Sequence, residues 1–176
     1  MNYDYVKQIF GFIGILYLVW LLDFVLPLSR FGIVPRTQQG LIGIVTAPFL
    51  HANIRHLISN TLPLLVLLLV LFSFYPRKAV SVVIISILLG GLLVWLLGRN
   101  ANHIGASGLI YGLAAFLIVN GFNEQKTIPI LISIAVAVIY GGLFWGLFPS
   151  FRAYISWEAH LFGAIAGIVA VFALRR

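Results

Sequence analysis

The sequence predicts an all-α fold, a polytopic membrane bundle of six spanning helices. Three observations carry that expectation: the scarcity of charge, the length of the apolar runs, and the small residues that recur on two of them. Only 9% of the 176 residues are charged while 62% are hydrophobic, and the mean hydropathy is +1.11. A soluble domain carries about 25% charged residues. With so few charges the chain cannot cover a water-facing surface, so most of its exterior faces the lipid bilayer.

The apolar segments run over residues 9–28, 54–74, 79–97, 107–122, 128–148 and 157–174. At about 1.5 Å per residue, about 20 residues cross a hydrocarbon core of about 30 Å. The first, second, third and fifth segments reach that length. The first has no small-residue cleavage site after it and reads as a retained span, not a signal peptide. The fourth is short, and the stretch before it, Gly98-Arg99-Asn100-Ala101-Asn102-His103-Ile104-Gly105, is polar and contains glycine. The fourth helix is therefore expected to begin below the membrane surface. Irregular backbone at that depth is tolerated only inside protein or along a water-filled cavity, which puts a hydrated cavity around residues 99–107. The long first connection, residues 29–51, mixes Arg30, Pro35, Arg36, Gln38, Gln39 and Pro48 with apolar residues and is expected to lie in the interface. No internal repeat is present, and a single domain over residues 1–176 is expected.

The net charge of +7 does not point to nucleic acid, because the basic residues form no patch. Lys7, Arg30, Arg36, Arg55, Arg77, Lys78, Arg99, Lys126, Arg152, Arg175 and Arg176 sit between or beside apolar runs, as headgroup anchors do. With the amino terminus inside, six of them fall on the inner segments and five on the outer, so the positive-inside rule does not choose an orientation. The absence of cysteine excludes thiol catalysis, disulfides and thiolate-held clusters.

Ionisable residues near membrane depth are candidates for function. Here they are Asp23, His51, Arg55, His56, His103, Glu158 and His160, with Asn60 and Ser107 as polar company. His56 and Asn60, four apart, share a helix face. They form either a donor pair for a developing oxyanion or polar glue between helices. Ser107, in Gly105-Ala106-Ser107-Gly108, opens the fourth helix, where unpaired N–H groups and the positive dipole end favour negative charge. The flanking glycines leave room for a tight turn and a substrate backbone. This is not the Gly-x-Ser-x-Gly elbow, because Leu109 holds the second glycine position and no strand precedes it; a small-residue packing patch is the alternative.

His160 precedes Gly163 and Gly167, a small-xxx-small face that matches Gly108 and Gly112 on the fourth segment. Packing the two faces together would bring Ser107 and His160 to one depth, within reach for base activation of the serine. Tyr111, one turn after Ser107, would then face the imidazole. Glu158 lies two residues before His160 and points elsewhere, so a dyad is expected rather than a triad. No metal is expected, since His51, His56 and His103 lack His-Glu-x-x-His spacing, and no cofactor is implied.

Together these motifs resemble the rhomboid family of intramembrane serine proteases. The likeness rests on His51-Ala52-Asn53-Ile54-Arg55-His56-Leu57-Ile58-Ser59-Asn60, on Gly105-Ala106-Ser107-Gly108-Leu109-Ile110-Tyr111, and on Ala159-His160-Leu161-Phe162-Gly163-Ala164-Ile165-Ala166-Gly167, in that order over residues 10–174. The resemblance implies Ser107 as nucleophile and His160 as general base, then acid. It implies an oxyanion hole of the Ser107 N–H, His56 and Asn60, with Tyr111 packed on His160 and His51 at the cavity mouth. It further implies cleavage of transmembrane segments of other proteins, cytoplasmic termini and, for a minimal bacterial-type core, residence in the inner membrane. The chain departs from many members in its first loop, where Gly32-Ile33-Val34-Pro35-Arg36 replaces a Trp-Arg pair. The competing readings are a catalytically silent client-binding relative, which would ordinarily lack the serine or histidine, and a small transporter, which would show matched interrupted helices in two halves.

Overall fold

A computed structural model describes residues 3–149 and 156–175; Arg152 and Arg176, two of the interfacial charges above, lie outside the described residues. The chain forms α1 (Tyr3–Leu22), α2 (Gln38–Thr46), α3 (Ile54–Phe74), α4 (Pro76–Leu97), α5 (Ser107–Glu124), α6 (Thr127–Tyr140) and α7 (Trp157–Ala173). Short 3-10 turns at Leu28–Phe31 and Ala47–Phe49 flank α2, and α6 runs on as a 3-10 segment, Gly141–Leu147. Among the described residues there is no strand, and the fold is the expected membrane helical bundle. Four helices are long and apolar enough to span: α1, α3, α4, and α6 with its 3-10 extension. These are the four segments that length alone singled out.

Two boundaries differ from the sequence expectation. The first span begins at Tyr3 and stops at Leu22 instead of covering residues 9–28. Apolar character continues through Phe24, Val25 and Leu26, but Pro27 disfavours helix in the residue before it. The Asp23 carboxylate then accepts a hydrogen bond from Ser29 N–H at 2.8 Å, turning the chain. The fifth span tightens at Gly141-Gly142, where two residues of poor helix propensity end the α-helical part.

α5 is the hub. It packs on α3, α4, α6 and α7 and carries ten buried residues, including Tyr111, Leu113, Phe116 and Asn120. Burial on all sides explains why this helix, 18 residues long, does without the length and hydropathy of the lipid-facing ones. Its closest partner is α7, and the glycine faces are the reason: a methyl group on Gly163 would overlap the Gly108 carbonyl, and one on Gly167 the Gly112 carbonyl. Backbone therefore lies against backbone, as small-residue faces allow.

The first connection is not a plain loop. Thr37 caps α2 by accepting from Gly40 N–H at 3.0 Å, and Gly40 and Gly43 pack against the backbone at Val34 and Gly32. Leu41, Ile42 and Val45 stay exposed on the outer face. Arg36, in the stretch that departs from the Trp-Arg pattern, takes a left-handed conformation (φ 60°). Its guanidinium donates to the carbonyls of Leu96 (3.2 Å) and Gly98 (2.9 Å), satisfying the open end of α4 as a basic residue at a helix C-terminus can.

Candidate active site

Residues 99–105 enter the interior without helical hydrogen bonds, and the first connection supplies partners. Ile33 and His103 exchange backbone bonds at 3.0 and 2.9 Å, and Gly105 N–H donates to the Ala47 carbonyl at 2.9 Å. The buried backbone of His103 is thereby paired at both its N–H and its carbonyl. Gly105 then turns with φ 120°, a conformation that favours glycine. A methyl group there would stand 2.7 Å from the His56 imidazole, so close approach also demands glycine.

Ser107 is the first residue of α5. Ala106 before it offers no side-chain cap, so the leading N–H groups and the positive end of the helix dipole face the serine. Its hydroxyl lies 3.0 Å from His160 Nε2. The proton positions follow from the other ring nitrogen: His160 Nδ1 is 3.0 Å from the Gly146 carbonyl, which can only accept, so Nδ1 carries the hydrogen. In the neutral ring Nε2 then holds the lone pair and accepts the Ser107 proton. Tyr111 stacks on the imidazole, with centroids 4.2 Å apart and planes 5° from parallel. Its hydroxyl donates to the Leu143 carbonyl at 2.8 Å. The 3-10 segment after α6 is thus bonded both to His160 and to the ring that packs on it.

Asn60, buried on α3, and half-buried His56 one turn earlier flank Gly105. The Asn60 amide nitrogen lies 3.6 Å from where a methyl group on Gly105 would sit. His51 is deeper than the mouth position implied for it, only 2% exposed. Its Nε2 accepts from Asn60 Nδ2 at 3.1 Å and from Ala106 N–H at 3.4 Å. Desolvation, helped by the neighbouring His56 and opposed by the Phe49 backbone, pushes His51 down to about 4, so the ring is neutral near pH 7 and free to accept. An amide nitrogen has two hydrogens; with one held by His51, the other is left for the space beside Ser107.

The motif residues therefore converge: Ser107, His160, Tyr111, His56, Asn60, His51, Gly105 and Gly108 surround one point. Asp23 and Glu158 do not join them, the first turning the chain at Ser29 and the second pairing with Arg99. Among the described residues no group of three His, Cys, Asp or Glu side chains is arranged to hold a metal ion. Sequence reasoning missed Gly146, whose contribution is a carbonyl and so is independent of residue type. The only sequence signal was the pair Gly141-Gly142, which marks where α6 loosens.

This is a polytopic helical membrane protein with a serine and a histidine in hydrogen-bond contact inside the bundle. The model of the Rhomboid domain matches residues 38–176. An uncharacterized protein of Mycobacterium tuberculosis is 42% identical over 177 residues, covering 94% of this chain and 73% of its own length. An uncharacterized protein of Mycobacterium leprae is 38% identical over 176 residues, with 94% and 70% covered. A protein of Acanthamoeba polyphaga mimivirus, described as a candidate rhomboid protein, is 30% identical over 174 residues, with 89% and 86% covered. The chain belongs to the rhomboid family and is an integral membrane protein.

Proposed function

We propose that this protein is an intramembrane serine endopeptidase that cleaves transmembrane segments of other membrane proteins with a Ser107–His160 dyad. The observation that carries the reading is the Ser107 Oγ to His160 Nε2 contact of 3.0 Å in a ring whose Nδ1–H is held by the Gly146 carbonyl. That tautomer is the one a general base needs.

In acylation Ser107 Oγ attacks the scissile carbonyl carbon while its proton passes to His160 Nε2. The negative oxygen of the tetrahedral intermediate is met by the Ser107 N–H, the free Asn60 N–H and His56. His160 then gives its proton to the leaving amine as the C–N bond breaks. In deacylation His160 takes a proton from water, the resulting hydroxide attacks the ester carbon, and the proton returns to Ser107 Oγ. A cavity of about 40 Å³ borders the segment that precedes the serine, at His103, Ile104, Gly105 and Gly108, but Ser107 and His160 do not line it. By this reading the termini are cytoplasmic, the membrane is a bacterial inner membrane, and the site opens to the opposite side.

The test is Ser107→Ala, assayed in detergent by cleavage of a model transmembrane substrate and by labelling with a serine-directed fluorophosphonate. Both should vanish; cleavage that persists in this variant sinks the proposal. A silent client-binding protein predicts no cleavage by the wild type, and a transporter predicts flux through liposomes that Ser107→Ala leaves intact.

A further inference from the structure

Two ionisable groups near the site have no part in the chemistry above. Glu158 is 2% exposed and His103 is 3% exposed. Both lie where the chain segment that delivers Ser107 meets the helix that delivers His160. Glu158 sits in the first turn of α7 and turns away from His160, two residues on. Its Oε1 is 3.4 Å from Arg99 Nε and accepts from the Arg99 backbone N–H at 3.4 Å. His103 Nε2 is 3.0 Å from the Arg99 carbonyl, so it donates there. Burial lowers the affinity of His103 for a second proton, which leaves Nδ1 to accept from the Ser156 hydroxyl at 2.6 Å. Ser156 in turn caps α7, accepting from Ala159 N–H at 3.2 Å.

We propose that Arg99, His103, Ser156 and Glu158 form a polar clamp that fixes the Ser107-bearing segment to the His160-bearing helix, with Glu158 and His103 as positioning residues of the dyad. The proposal rests on the proteolytic reading above. Three links join residues 99–103 to residues 156–158, and none touches the space beside Ser107. An ion pair between buried Glu158 and a 35%-exposed Arg99 side chain contributes little net stability, because desolvating Glu158 offsets the attraction. Its Oε2 atom is buried with no hydrogen-bond partner among the described residues, which makes a purely stabilising role poorer still. Register is what such a pair can supply. The geometry gives it that task, since residues 99–105 make no helical hydrogen bonds and their backbone-to-backbone bonds go to the first connection, not to α7.

The experiment measures kcat and KM for a model transmembrane substrate in proteoliposomes, together with the imidazole signals of 15N-histidine-labelled protein. The chain has 4 histidines, so single substitutions assign them. Glu158→Ala should lower kcat by about ten- to a hundredfold, the scale of a misplacement near 1 Å, with KM changed by less than about twofold. Glu158→Gln, which keeps an oxygen for Arg99 N–H, should fall between. Arg99→Ala combined with Glu158→Ala should be no slower than Glu158→Ala alone as far as the clamp goes, because Glu158→Ala already removes both links between the two residues. The His160 signals should move in Glu158→Ala. If that variant does not fold, Ser156→Gly removes the His103 link while keeping a residue that helix N-caps accept, and the same two readouts apply. Wild-type kcat, or unmoved His160 signals, overturns the clamp. Should Ser107→Ala still cleave, the proteolytic reading fails instead, and the His160 signals alone decide the clamp.

Discussion

The two sides of the Ser107–His160 pair are built differently. On one side α5 and α7 meet backbone to backbone through Gly108, Gly112, Gly163 and Gly167, inside a hub buried on all sides. On the other, α6 buries only Ser133 and Val136, and the 3-10 segment beyond it buries no residue. That segment nevertheless supplies the carbonyls of Gly146 and Leu143 that hold His160 and Tyr111. The contrast teaches that Ser107 stands on the rigid part of the molecule while the orientation of His160 depends on the long span with the smallest buried share. Low-stability segments are where openings occur, so release of the 3-10 segment would free the His160 ring before it disturbed Ser107.

The largest test of this contrast is steric. Gly163→Val should cost at least about 3 kcal/mol, because the clash is with backbone that cannot repack. Gly141→Ala, whose methyl group would meet nothing within 4 Å, should leave stability unchanged or slightly raised. Thermal unfolding in detergent compares the two; equal losses would erase the distinction between core and flank.

Next in size is Asn60→Ala, expected to lower kcat by about 10²–10³ if its free N–H meets the oxyanion. Unchanged turnover would return Asn60 to the role of polar glue. Acid then probes the support behind it. Burial brings His51 down to about 4 from the ordinary imidazole value of 6.5, so between those values the unfolded chain binds the extra proton and the folded one does not. Stability is therefore complete above about pH 6.5 and falls as the pH drops toward 4, by at most about 3 kcal/mol. In His51→Gln that part of the pH dependence should disappear from the unfolding curve.

The smallest effect belongs to the flank. Tyr111→Phe keeps the ring on His160 but removes the bond to Leu143, worth about 1 kcal/mol. Turnover should fall by less than about tenfold, while amide hydrogen exchange over Gly141–Leu147 quickens. Exchange that stays slow would mean the segment is held by other contacts.

Much of this architecture was legible in advance because it depends on local chemistry. The second span falls at residues 54–74 as expected, since Asn53 caps its start and the chain from Leu62 to Phe72 is apolar throughout. The glycine faces were legible because spacing of four along a helix implies a shared face. The ends of the first and fifth spans were not, because hydropathy does not register that Pro27 and Gly141-Gly142 change the backbone while the chain stays apolar. The place of His51 was also hidden: its partners, Asn60 and Ala106 N–H, are nine and 55 residues away.

By itself the sequence determined residence in the membrane, which four helices are long and apolar enough to span it, and the small-residue faces that let α5 and α7 touch. Composition and helical periodicity suffice for these. Only the tertiary structure decided which nitrogen of His160 faces Ser107, because that choice belongs to the Gly146 carbonyl. It also decided that the partner of Glu158 is Arg99. Carbonyl partners and buried ion pairs arise where distant segments meet, and no local spacing encodes the meeting.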